Sequence, residues 1–214
     1  MIIKNAEFIT SAANKKQFIV PNKPLIAICG KSNVGKSSLI NTLANRKKLA
    51  KTSVTPGRTR LVNYFDFGSF VLADLPGYGF AKVSQAEKEK WAHLLEDFFA
   101  YSKLITHVFS LVDIRHKPTS DDLQMINYLH HYALPFTIIA TKADKIGKTR
   151  IKDRLKEIGN YLAVGESSIY PVSSETGYGK DKLLQKIESV LEIYNSDFFN
   201  EEDPDEEDLE ETQE

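Results

Sequence analysis

Apolar residues fall along this chain in short continuous runs, separated by stretches with helical spacing. Pro24 to Cys29 (PLIAIC), Thr106 to Asp113 (THVFSLVD), Pro135 to Thr141 (PFTIIAT) and Ser168 to Ser174 (SIYPVSS) have the length and composition of buried strands. Leu61 to Gly68 and Ser69 to Leu75 are two further β-rich runs that meet at Gly68-Ser69, a hairpin pattern. Ala6 to Thr10 adds an edge strand. Between these runs, Ser38 to Asn45 places Leu39, Ile40 and Leu43 on one helical face. Ser84 and Glu87 form a capping-box pattern that opens an amphipathic helix running to about Tyr101. Thr119 and Asp122 repeat it before Leu123, Ile126 and Leu129. A basic helix is predicted over Lys148 to Leu162 and a last helix over Lys180 to Ile193. Residues 46–60 show neither period and are punctuated by Pro56-Gly57, so they read as a mobile loop. Strands alternating with helices predict an α/β fold: an open, mostly parallel sheet of the six-stranded type with helices on both faces and one antiparallel strand from the hairpin. With no internal repeat, residues 1–196 are expected to form a single domain and residues 197–214 an acidic, disordered tail. Ligand chemistry then belongs at the C-terminal ends of the strands.

Charge changes this picture in one respect. The formal net charge is −1, but residues 201–214 hold 10 of the 29 acidic residues and no Lys or Arg. The remaining body carries 28 basic against 19 acidic side chains, a formal +9. A basic body with an acidic tail is expected either to meet a polyanionic partner or to present a merely solvated basic surface. Cys29 is the single cysteine and lies in a predicted core strand, so no internal disulfide forms and a reducing compartment fits. No apolar stretch approaches the length of a membrane span. A cytoplasmic protein without a membrane or DNA partner, and monomeric, is the expectation.

The candidate chemistry begins at Gly30 to Ser37, GKSNVGKS, which matches the pattern of a glycine, four residues, then Gly-Lys-Ser. Gly30 and Gly35 let the backbone turn so that successive N–H groups, those of Lys31, Ser32, Asn33 and Val34 among them, point at phosphates. Lys36 supplies an ammonium for the β- and γ-phosphates and Ser37 a hydroxyl for Mg²⁺. A strand feeding the loop and a helix leaving it aim a helix N-terminus at the same anion. Further polar motifs follow at the ends of later strands, in the order a GTP-binding domain requires. Asp74-Leu75-Pro76-Gly77 provides a carboxylate to hold Mg²⁺ through water and a Gly77 N–H to meet the γ-phosphate. Thr141-Lys142-Ala143-Asp144 selects the base: a carboxylate accepts both the N1–H and the 2-amino group of guanine, and adenine offers neither. Lys142 lays its stem along the base, and Ser173-Ser174-Glu175 offers a backbone N–H to guanine O6. Thr52, Thr55 and Thr59 all lie in the loop that should close over the γ-phosphate, and loop physics does not choose among them. The expected catalytic set is Lys36 and Gly77, to which the family resemblance given below adds Asn33. Tyr78 stands where related GTPases place a water-orienting glutamine, so intrinsic hydrolysis is expected to be slow.

GKSNVGKSSLIN, TPGRTR, DLPGYGFAKV and TKADK together resemble the EngB (YihA/YsxC) family of bacterial P-loop GTPases, of the TrmE-Era-EngA-EngB-Septin-like class. The resemblance runs from about Asn5 to Ile193. It implies a Ras-like G domain, Mg²⁺-dependent GTP binding and hydrolysis to GDP and phosphate. Thr59 would then be the second protein ligand of Mg²⁺ beside Ser37, with Gly57, Arg58, Arg60 and Leu61 bordering the nucleotide. It further implies a role in assembly of the large ribosomal subunit, with rRNA and ribosomal proteins as partners, and in normal cell division and septation. It also points to a potassium ion held partly at Asn33, a residue that could equally stabilise the loop turn. Glu175 stands where many GTPases carry lysine, so the base contact there rests on backbone. The acidic tail is outside the family motifs. The contrasting expectation is a protein-interaction module in division whose nucleotide turnover is incidental.

Overall fold

The computed structural model describes residues 1–51, 61–79, 84–100 and 104–201. Seven strands form one sheet: β1 (Glu7–Ala12), β2 (Leu25–Gly30), β3 (Val62–Asp66), β4 (Val71–Asp74), β5 (Ile105–Asp113), β6 (Phe136–Thr141) and β7 (Ile169–Pro171). Their spatial order is β1-β3-β4-β2-β5-β6-β7. β3 pairs antiparallel with both β1 and β4, and every other pairing is parallel. The edge strand expected at Ala6 to Thr10 forms as β1 and brings the sheet to seven strands, one more than the six-stranded type. Among the described residues, five α-helices cover the sheet: α1 (Lys36–Leu43), α2 (Gln85–Phe99), α3 (Ser120–His131), α4 (Lys148–Leu162) and α5 (Lys180–Glu201).

Strand alternation divides the core into two layers. Leu25, Ala27 and Cys29 of β2 face one side, with Leu95 and Phe99 of α2, Met125 and Leu129 of α3, and Ile158 and Leu162 of α4. Ile26 and Ile28 face the other, against Leu39, Ile40 and Leu43 of α1 and Leu183 and Ile187 of α5. All six β2 residues are buried, as the unbroken apolar run requires of a central parallel strand. Both capping boxes form. The Ser84 hydroxyl accepts from the Glu87 N–H and Glu87 accepts from the Ser84 N–H, while the Asp122 carboxylate takes the Thr119 N–H at 2.7 Å.

The boundaries differ from expectation most clearly at α1, β7 and α5. α1 begins at Lys36 rather than Ser38, because the phosphate-loop pattern itself supplies the first helical turn. β7 ends at Pro171, although the Val172 N–H still donates to Ala140 O at 2.8 Å, and Val172 and Ser173 lie in the following loop. α5 continues past Ile193 to Glu201, so the 197–214 tail boundary falls inside a helix, and residues 202–214 lie outside the described residues.

Candidate nucleotide site

The site lies where β2, β4, β5 and β6 end. β2 delivers the chain to Gly30, whose φ of +150° is closed to L side chains, and a Cβ there would lie 2.9 Å from the Leu111 carbonyl. The loop then turns with Asn33 at φ 61°, a left-handed conformation that asparagine tolerates better than most residues, and enters α1 at Lys36. The Val34 side chain is buried in the core, 4% exposed, and its carbonyl accepts the Thr141 hydroxyl at 2.7 Å. Lys142, also left-handed, donates to the Asn33 carbonyl at 2.8 Å. The loop is thus tied to the end of β6 by two adjacent residues of TKAD.

The DLPG segment lies against this loop. The Leu75 N–H donates to Ile28 O and the Leu75 side chain is in the core; the Pro76 carbonyl accepts from the Trp91 indole. The Ser32 N–H donates to Tyr78 O at 2.9 Å, which adds a one-residue parallel bridge between Lys31 and Tyr78. Gly77 is wedged so closely that a Cβ on it would stand 2.9 Å from Ser32 Oγ and 3.1 Å from Lys36 Nζ. Asp74 ends β4 8% exposed, and its Oδ1 is buried without a hydrogen-bond partner. Burial pushes its carboxyl up to about 6, against the pull of the nearby Lys36 ammonium. An orphaned buried carboxylate oxygen is costly and is what a hydrated cation relieves. Ser37 and Asp74 therefore fit Mg²⁺, with the Lys36 ammonium left for phosphate oxygens.

At the other end, a 3-10 turn over Ala143–Lys145 holds Asp144 beside the loop after β7. Ser173, fully buried, donates its hydroxyl to Asp144 Oδ1 at 2.6 Å, and Lys145 Nζ lies 3.0 Å from Oδ2. Both partners, Ser173 first, hold the Asp144 carboxyl below its ordinary range. The same Ser173 Oγ accepts the Glu175 N–H at 3.2 Å, and the Ser173 N–H goes to Tyr178 O. Ser174 O accepts from Thr42 of α1 at 3.4 Å.

Most of the expected residues are brought together at the C-terminal ends of the central strands. Leu61 is half-buried just before β3, while Thr52, Thr55, Gly57, Arg58, Thr59 and Arg60 lie outside the described residues. One residue that the motifs did not single out is Asp113, at the end of β5. Its carboxylate bonds Arg115 at 2.7 Å and Lys142 at 2.8 Å. Burial acts to raise its pKa, but these two cations outweigh burial and hold it well below the usual carboxylate range. The available signal was an aspartate closing the apolar run THVFSLVD.

The model of the 50S ribosome-binding GTPase family matches residues 25–142. A sequence from Clostridium acetobutylicum described as a probable GTP-binding protein EngB is 49% identical over 189 residues, 87% of this chain and 94% of that protein. A Clostridium kluyveri protein of the same description is 45% identical over 198 residues, 91% and 100% of the two chains. Among solved structures, a probable GTP-binding protein engB matches with a TM-score of 0.64 at 22% identity, covering 78% of this chain and 98% of that one. Era in complex with MgGDPNP and nucleotides 1506–1542 of 16S ribosomal RNA matches at 0.60 with 21% identity, covering 87% and 58%. The two structures share the fold, and the sequence relatives share nearly the whole chain. The chain belongs to the EngB family of GTP-binding proteins and is a P-loop GTPase.

Proposed function

We propose that this GTPase is a Mg²⁺-dependent switch that serves assembly of the large ribosomal subunit. The observation that carries the chemistry is the unpartnered Asp74 oxygen facing Lys36 at the loop. Ser37 and Thr59 would hold Mg²⁺ directly and Asp74 would hold it through water. Bound there, the ion would offset charge on the phosphates. Lys36 pairs with the β- and γ-phosphate oxygens, and the Gly77 N–H reports whether the γ-phosphate is present. Asp144 reads guanine through the carboxylate that Ser173 and Lys145 orient. Because the Ser173 and Glu175 N–H groups already have partners, the Ser174 N–H is the one offered to guanine O6. Water attacks the γ-phosphorus in line, and GDP and phosphate leave. The exposed Asn33 stands where a potassium ion would share the charge, so potassium should accelerate hydrolysis over sodium in wild type and not in Asn33→Ala.

For the partner, support comes from the family description and from the exposed Lys148, Arg150, Lys152 and Lys156 of α4. Two nearby cations are engaged: Lys145, before α4, pairs with Asp144, and Arg154 of α4 donates to Ile114 O and pairs with Glu157. In the loop after α1, Arg46 is likewise held, donating to Ala6 O at 2.6 Å, while Lys47 and Lys48 are exposed. The reading carries with it a role in cell division and septation, through the ribosome supply that growth before division requires. Co-sedimentation with large-subunit particles tests the ribosomal role. Binding should be tighter with a non-hydrolysable GTP analogue than with GDP and should weaken steeply with salt. Binding that is indifferent to both would sink it.

A further inference from the structure

Gly77 has no side chain to fix its peptide, yet the residues on both sides of it are tied down. The Pro76 carbonyl accepts the Trp91 indole N–H at 3.0 Å, from α2. The Tyr78 hydroxyl donates to Asp122 Oδ1 at 2.9 Å, in the first turn of α3. Its ring meets the Trp91 ring edge-on, with centroids 6.0 Å apart. Asp122 is 5% exposed and its other oxygen is filled by the Thr119 N–H and hydroxyl at 2.7 and 2.8 Å. Tyr78 itself is 4% exposed, so its phenol is turned into the core and away from any attacking water.

We propose that Tyr78 and Trp91 are positioning residues for Gly77, holding its N–H ready for the γ-phosphate from α3 and α2 respectively. The physical reason is entropic. A glycine peptide left free would have to be ordered by GTP itself, at an entropic cost drawn from γ-phosphate affinity. Anchoring both neighbours transfers that ordering to the fold, so the cost falls on folding and not on ligand. It also accounts for the chemistry of Tyr78. A buried donor whose acceptor is a carboxylate in a helix cap is a structural fixture, and a phenol is the side chain that reaches from the strand end to Asp122 while meeting Trp91 edge-on.

The inference rests on Gly77 as the γ-phosphate contact, and the test separates the two. Tyr78→Phe and Trp91→Phe each remove one anchoring hydrogen bond and keep most of the packing. Affinities for GDP and a non-hydrolysable GTP analogue, with Mg²⁺ present, are measured by calorimetry beside thermal unfolding. Each variant should lose about five- to twentyfold in analogue affinity and stay within about twofold for GDP. In a Gly77→Ala background, Tyr78→Phe should change the analogue-to-GDP ratio no further, because its effect passes through Gly77. Should Tyr78→Phe fold poorly because Asp122 loses a donor, Trp91→Phe alone decides. Variants that lower the melting temperature but keep the wild-type ratio would overturn the positioning role. A Gly77→Ala ratio equal to wild type would instead remove Gly77 as the sensor.

Discussion

Asp144, in the candidate site, has one oxygen bonded by the Ser173 hydroxyl and the other paired with the Lys145 ammonium. That arrangement keeps it ionised and aimed, which a base-reading acceptor needs. Asp144→Asn replaces one acceptor with a donor and should weaken GTP by about 10- to 100-fold. It should favour xanthine nucleotides, whose 2-position is an oxygen; competition binding of the two nucleotides checks this, and unchanged guanine affinity in a folded variant removes Asp144 from the site. The neighbouring Asp113 shows what motif reading overlooks. Its value lies in contact with Lys142 across 29 residues of chain, and nothing in the spacing of THVFSLVD announces that contact. Asp122 is similar: the cap it forms was legible, whereas its bond to Tyr78 was not.

Among the elements, α4 is built against its own dipole. Its first turn carries no acidic residue, and Lys148, Arg150 and Lys152 crowd the positive end. Cations there are destabilising by roughly 0.3–1 kcal/mol each. Lys148→Glu should therefore stabilise the protein by about that amount, read by denaturant unfolding, while weakening and flattening the salt dependence of ribosomal-particle binding. Stabilisation without loss of binding would return α4 to a merely solvated face. α2 and α3 were predictable as helices from their capping boxes. Their role as the two anchors of Tyr78 and Pro76 follows only from how they pack on the sheet.

At the scale of the molecule, the sheet also buries a titratable group far from the nucleotide. His107 of β5 is 5% exposed, its Nε2 lies 2.9 Å from Thr137 Oγ1, and burial, aided by Lys186, lowers its pKa from 6.5 to about 4. The neutral ring is the folded form, so the unfolded chain takes up the proton first as pH falls. Its contribution is present in full above about pH 6.5 and is lost as pH falls towards 4, on the order of 2–3 kcal/mol. Denaturant unfolding at pH 7.5, 6 and 5 should show that loss, reduced in His107→Gln. Parallel pH curves for the two proteins would place the titration elsewhere.

The sequence by itself determined the order of elements, the phosphate loop, the DLPG and TKAD motifs and the family, because each of these is local. A strand's burial appears as an apolar run, a helix start as a four-residue cap, and a phosphate cradle as glycines at fixed spacing. Tertiary structure alone decided which of these local features touch. It set Gly77 against Ser32 and Lys36, left Asp74 Oδ1 without a partner, and joined Lys142 to both Asp113 and the Asn33 carbonyl. It also took Arg46 and Arg154 out of the free basic surface that charge counting had included. Such contacts depend on strand order and helix placement, and sequence separation carries no record of either.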